Sequence, residues 1–248
     1  MRALSVLLGA TVIAAVVLSG CGVSSPTLPG GNPASAPTIH ATVDWLIAQT
    51  QLLQSAGLSP DTTISASVDV LKANNAEDST ATVSLLLNGV SYYLYWSGNY
   101  GSYVTHTSTI PKSAVKNGDM VVVKVVLGTT TYADSAIMPG GITLANDASG
   151  VTWATEGNFD ELIIFPLDAQ TSMPDLVHPV VSSVEGKGGL SVTADLTSPV
   201  AIPQTALTSG QWYEAEVLVQ REHIPFAGAA ALSDLHVREV YLKDFQKP

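Results

Sequence analysis

Cys21 is the single thiol of this 248-residue chain, and it stands directly behind an apolar run that ends Leu18-Ser19-Gly20. A lone cysteine cannot form an internal disulfide, which leaves the thiol for another use. The second concentration of chemistry is Ser91-Tyr-Tyr-Leu-Tyr-Trp-Ser-Gly-Asn-Tyr-Gly-Ser-Tyr103, with five of the eight tyrosines and one of the four tryptophans. Aromatic rings among Ser, Gly and Asn give large contact area at little entropy cost, and suit a sugar face or a protein partner. Alternation places Tyr92 and Trp96 on one face of this segment and Tyr93 and Tyr95 on the other. A two-sheet sandwich buries only one such face, so Tyr93 and Tyr95 are expected to be exposed. Tyr93, Tyr95, Tyr100 and Tyr103 form the candidate ligand or partner surface. Ring pairing that merely stabilises a hairpin is the plainer account.

Other residue sets are weaker. Acidic turns occur at 74–78, Asn146-Asp147 and 156–161, and calcium requires six to eight oxygens. None has EF-hand-like spacing, and Asn, Asp and Gly are also ordinary turn formers. Glu222-His223 and Asp234-x-His236 could meet if their strands are neighbours, but no pair has the spacing of a zinc motif. No nucleophile elbow, phosphate-cradling glycine loop or His-Glu-x-x-His helix occurs. Neither a catalytic set, nor a metal, nor a cofactor is assigned, and the chain is read as non-catalytic.

The elements that position these groups begin with an export segment. Arg2 supplies a positive start, Ala3–Leu18 an apolar stretch, and Ser19-Gly20 the small residues that a peptidase needs. At 16 residues with Ser5, Gly9 and Thr11 inside it, the stretch is short for a membrane span of roughly 20 residues. Leu18-Ser19-Gly20-Cys21 resembles the lipobox of bacterial lipoprotein signal peptides. The resemblance implies that residues 1–20 are removed and that Cys21 is acylated and becomes the first mature residue. It also implies a partner, the lipid membrane, and a location on the outer side of the cell envelope. Gly22 in place of Asp points to the outer membrane. Single acyl chains hold weakly, whereas the two or three that such proteins carry anchor firmly. Residues 21–40, rich in Ser, Pro and Gly, read as a flexible tether.

Ten basic against 21 acidic residues give a net charge of −11, and all but Arg2 lie beyond the export segment. Such a charge opposes nucleic acid and anionic headgroups. Charged residues make up only 12% of the chain, amid abundant Thr, Ser, Val and Ala. That is the composition of strands.

One helix is expected from Thr42, on Val43, Leu46, Ile47 and Leu53, stopped by Gly57 and Pro60. From Thr62 the period becomes two: Ile64/Ala66/Val68/Val70, then Ala81/Val83/Leu85/Leu87. Asn88-Gly89 is a strong hairpin signal and leads into Val90, Tyr92, Leu94 and Trp96 as the return strand. Asn117-Gly118 precedes a strand with apolar positions 121, 123, 125 and 127, and Gly128-Thr129 turns into 130–138. Pro139-Gly140-Gly141 marks a boundary. A second β series follows: Val151/Trp153, 162–165, Leu190/Val192/Ala194/Leu196, Tyr213/Ala215/Val217/Val219 and 236–242. Residues 169–189 fit no strand pattern and read as an inserted loop.

Gly150-Val-Thr-Trp153 followed by Asp160–Phe165 resembles the early strands of fibronectin type III and related immunoglobulin-like modules. Leu207-x-x-Gly210-x-x-Tyr213-x-x-x-Val217 is similar to their tyrosine corner, in which the phenol hydrogen-bonds to the preceding turn. The expectation is an all-β chain of two immunoglobulin-like antiparallel sandwiches, 41–138 with the helix and 139–248. Functionally, the chain is read as a lipid-anchored, non-catalytic binding or envelope-assembly protein whose partner is an envelope protein or a glycan. An adhesin or carbohydrate-binding module using residues 91–103 is the alternative, and an unrecognised hydrolase a further one.

Overall fold

Alternating apolar residues govern the architecture throughout. A computed structural model of the chain describes residues 36–50, 61–105, 110–111, 113–145, 149–152, 158–169, 171–183, 188–191, 200–221 and 226–248. Residues 1–20, Cys21 and most of the expected tether lie outside these.

The strands of the first half are β1 (Thr38–Gln49), β2 (Asp61–Leu71), β3 (Thr82–Leu87), β4 (Val90–Tyr93), β5 (Tyr95–Ser97), β6 (Ser102–Val104), β7 (Met120–Leu127) and β8 (Thr130–Ile137). Those of the second half are β9 (Thr143–Leu144), β10 (Gly150–Thr152), β11 (Asn158–Pro166), β12 (Val181–Ser182), β13 (Leu190–Ser191), β14 (Val200–Ala201), β15 (Trp212–Arg221) and β16 (Asp234–Gln246). A 3-10 turn, Gln204–Ala206, is the one helical element among the described residues. The all-β class expected from composition is what the chain adopts.

A nine-stranded sheet runs β13-β12-β11-β15-β16-β1-β2-β6-β5, beside a four-stranded sheet β4-β3-β7-β8 and a three-stranded sheet β14-β10-β9. One core is formed by Ile39, Val43, Ile64 and Val68 of the large sheet with Val83, Leu85, Val121 and Val123 of the four-stranded one. The other joins Leu162, Ile164, Ala215 and Val217 to Leu144, Val151 and Val200 of the three-stranded sheet. β16 serves both. Leu235 and Val237 face the first core, while Tyr241 and Phe245 face the second.

The segment expected as a helix from Thr42 is strand, at least as far as Gln49. Val43, Leu46 and Ile47 have helical spacing, but the stronger pattern is Ile39, Ala41 and Val43, all buried, alternating with polar Thr38, His40 and Thr42. β1 is then clasped on both sides, antiparallel to β2 and parallel to β16. Long-range pairing outweighs a local helical pattern that needs four turns to persist. The stop at Gly57 and Pro60 lies outside the described residues. β1 also takes in residues 38–40, the end of the expected tether. The β1–β16 and β12–β13 pairings are parallel, so the sheet is mixed rather than purely antiparallel.

Asn88 and Gly89 have φ of 48° and 79°, the double positive φ that this two-residue hairpin turn requires. The return strand is not continuous. It breaks at Leu94, with β4 pairing β3 in the small sheet and β5 pairing β6 in the large one. Leu94 N–H donates to Val83 carbonyl at 2.9 Å and its side chain is buried, so the crossing is pinned.

Candidate functional site

The crossing at Leu94 sets the geometry of the aromatic segment, because β4 and β5 are the terminal strands of their two sheets. Tyr93 lies opposite Ser84 at the edge of one sheet, and Tyr95 opposite Val104 at the edge of the other. Their exposures are 72% and 46%, and that of Tyr100 is 66%. Tyr100 sits on the turn between β5 and β6, where the amides of Tyr100 and Gly101 both donate to the Ser97 carbonyl, at 3.1 and 2.9 Å. No residue of 91–103 carries a formal charge at neutral pH. The surface offers rings, hydroxyls and the Asn99 amide, without a charge.

Tyr103 departs from expectation. It is 3% exposed and cannot belong to the contact surface. Its ring meets Trp96 edge-on at 5.2 Å and 64°, and its Oη donates to the Asp78 carbonyl at 3.0 Å. Burial pushes its phenol up from the ordinary value. The reason lies in parity: the turn at 98–101 places Tyr103 opposite Trp96, on the face that Tyr92 and Trp96 present to the first core. Tyr103 therefore packs into the first core together with Trp96.

The acidic turn at 74–78 uses its side chains on itself. Asp78 Oδ1 accepts from the Thr80 amide at 2.9 Å and from its hydroxyl at 2.6 Å, and Asn74 Oδ1 accepts from the Ala76 amide at 3.1 Å. These bonds to Thr80 hold the Asp78 carboxyl below its usual range. Asn146-Asp147, most of 156–161 and Glu222-His223 lie outside the described side chains.

Asp234 and His236 are joined by a residue that local spacing could not supply, His40. Its Nδ1 lies 3.0 Å from Asp234 Oδ1, and His236 Nε2 lies 3.7 Å from Asp234 Oδ2. The bond to Asp234 raises the His40 imidazole, with burial opposing and Asp69 assisting. For Asp234, burial is outweighed by His236 and His40, which hold the carboxyl far below its usual value. Parallel pairing puts residues 194 positions apart on one rung. Among the described residues, no three His, Cys, Asp or Glu side chains are gathered as a metal site.

Two buried glutamates are further titratable groups that sequence reasoning missed. Glu214 on β15 stands between Phe165 and Asp244, two rungs from Glu216, which lies between Ile163 and Leu242. Burial, then Asp244, then Glu216 push it up to about 8. Glu239 on β16 is 1% exposed, between the residues of the two cores, and burial pushes it up to about 7 against hydrogen bonds from the Ile142 and Gly141 amides. Gly140 is required beside it, since a Cβ there would overlap the Glu239 carboxylate.

Tyr213 Oη accepts from the Thr208 amide at 2.8 Å, tying the phenol to the turn before it. Trp153 lies outside the described residues. No helix among the described residues is long and apolar enough to cross a membrane. No protein-family model matches the chain, and no curated protein matches it in sequence.

Proposed function

We propose that the chain is a lipid-anchored binding protein of a bacterial cell envelope, non-catalytic, with immunoglobulin-like sandwiches and with the aromatic hairpin as a contact surface. The observation that carries the reading is the exposure of Tyr93 and Tyr95 on the terminal strands of two sheets and of Tyr100 on the turn beside them. Exposed aromatic side chains on one short stretch of chain give large contact area at little entropy cost, which favours association. The anchor rests on the lipobox-like Leu18–Cys21. A glycan is the second reading, favoured by the uncharged run 91–103, since sugar rings stack on aromatic faces without ionic pairing.

Replacing Tyr93 and Tyr95 together by Ser tests the surface. Co-purification of the full chain from detergent-solubilised envelope is expected to fall about tenfold or more, with stability changed by less than about 1 kcal/mol. Undiminished co-purification contradicts the reading. A parallel glycan array separates the two readings: sugar hits lost in the variant support the glycan, and no hits support the protein partner.

A further inference from the structure

The run 91–103 is uncharged, yet the fold brings a charge to it from the turn between β2 and β3. That turn is closed by two backbone bonds, from the Asn75 amide to the Lys72 carbonyl and from the Lys72 amide to the Ala76 carbonyl, both at 2.8 Å. Tyr103 fastens it to the aromatic segment through the Asp78 carbonyl, and the Asp78 amide donates to the Val70 carbonyl at 2.7 Å. Glu77 forms an antiparallel bridge with Leu71. Its exposed carboxylate is thereby set against Gly101, the residue after Tyr100. A Cβ at position 101 would overlap that carboxylate, so the close approach itself requires glycine.

A second carboxylate lies near. Tyr95 and Ser67 share a rung through Val104, and Asp69 stands two residues beyond Ser67 on the same face of β2. Burial raises the Asp69 carboxyl, His40 opposes, and the charges of Glu77 and Asp234 raise it further. Among the described residues, no Lys, Arg or His nitrogen is within ion-pair distance of Glu77 or Asp69. The Lys72 ammonium of the same turn acts on Asp78.

Exposed rings bordered by an unpaired carboxylate, in a chain of net charge −11, attract cations and repel anions. Tyrosine faces draw cations by their own quadrupole. Lysine and arginine fit both features, because their apolar stems cover a ring while the charged head reaches onward. A neutral sugar would engage the rings alone and leave Glu77 unused.

We propose that the corner formed by Tyr100 and Glu77 receives a lysine or arginine side chain of a partner protein, its stem on the exposed ring and its cationic head on the Glu77 carboxylate. The proposal rests on the reading of the hairpin as a contact surface and names the chemistry of what that surface meets.

The probe is a fluorescein-labelled octapeptide of alternating Lys and Ser, titrated against the full chain by fluorescence polarisation, with its Glu/Ser counterpart as control. The lysine peptide is expected to bind and the glutamate peptide not to. Glu77→Gln and Tyr100→Ser should each weaken binding about fivefold or more, and Glu77→Lys further. Asp175→Asn, which removes the same unit of charge from another exposed turn, should change it less than about twofold. No binding of the lysine peptide, equal binding of its counterpart, or equal losses for Glu77→Gln and Asp175→Asn overturns the inference. Co-purification from envelope separates it from the reading beneath it. A yield that falls in the Tyr93/Tyr95 variant but not in Glu77→Lys keeps the contact surface and overturns the cationic partner. A yield undiminished in the Tyr93/Tyr95 variant contradicts the contact surface itself.

Discussion

Glu239 is the residue at which the burial of charge has the clearest consequence. Its carboxyl rises from 4.5 to about 7, and the phenol of Tyr241 is raised by its own burial and, secondarily, by Glu239. A raised folded-state value means that the folded chain holds the proton more tightly than the unfolded one. The stabilisation is complete below about pH 4.5 and is lost as pH rises through about 7, on the order of 3 kcal/mol. Glu214, raised to about 8, and His40, raised by Asp234, act in the same direction. The melting temperature is therefore expected to be higher at pH 5 than at pH 8, and Glu239→Gln to flatten that difference. An equal slope in the variant would show that Glu239 is not its source.

Asp44 and Arg238 illustrate the opposite arrangement. Arg238 Nε and Nη2 donate to the two carboxylate oxygens of Asp44 at 2.6 and 3.0 Å, across the β1–β16 rung. Removing one partner leaves a buried charge uncompensated, so Arg238→Ala should cost roughly 3 kcal/mol in denaturant unfolding. Asp44→Leu with Arg238→Met should recover much of that loss. A double variant as unstable as the single one would contradict the explanation.

At the scale of elements, turns were the most readable features. Asn88-Gly89 announced its hairpin, and Gly89→Ala is expected to cost about 1 kcal/mol from backbone strain alone, because open space surrounds the added methyl. An unchanged midpoint would mean that the turn relaxes at no cost. Strands with one buried face, such as β2 and β7, were legible because alternation is a local signal. β1 was not. Its Leu46 and Ile47 imitate a helical stripe, and the two strands that clasp it come from distant parts of the chain. The His40–Asp234 pair was hidden for the same reason. In the aromatic segment, Tyr93 and Tyr95 could be placed outward from alternation. The inward turn of Tyr103 depended on the pairing of β5 with β6, which residue types alone do not specify.

At the scale of the whole molecule, one mixed sheet is shared by two apolar cores, and β16 runs from one to the other. A single strand thus contributes buried residues to both cores, Leu235 and Val237 to one and Tyr241 and Phe245 to the other. On the proposed reading, acylation of Cys21 is what holds the chain at a membrane. Intact-mass spectrometry of the chain purified from bacterial membranes addresses this most directly. The account predicts a polypeptide beginning at Cys21 with the added mass of two or three acyl chains. A chain that starts at any other residue, or begins at Cys21 without acyl mass, would contradict it.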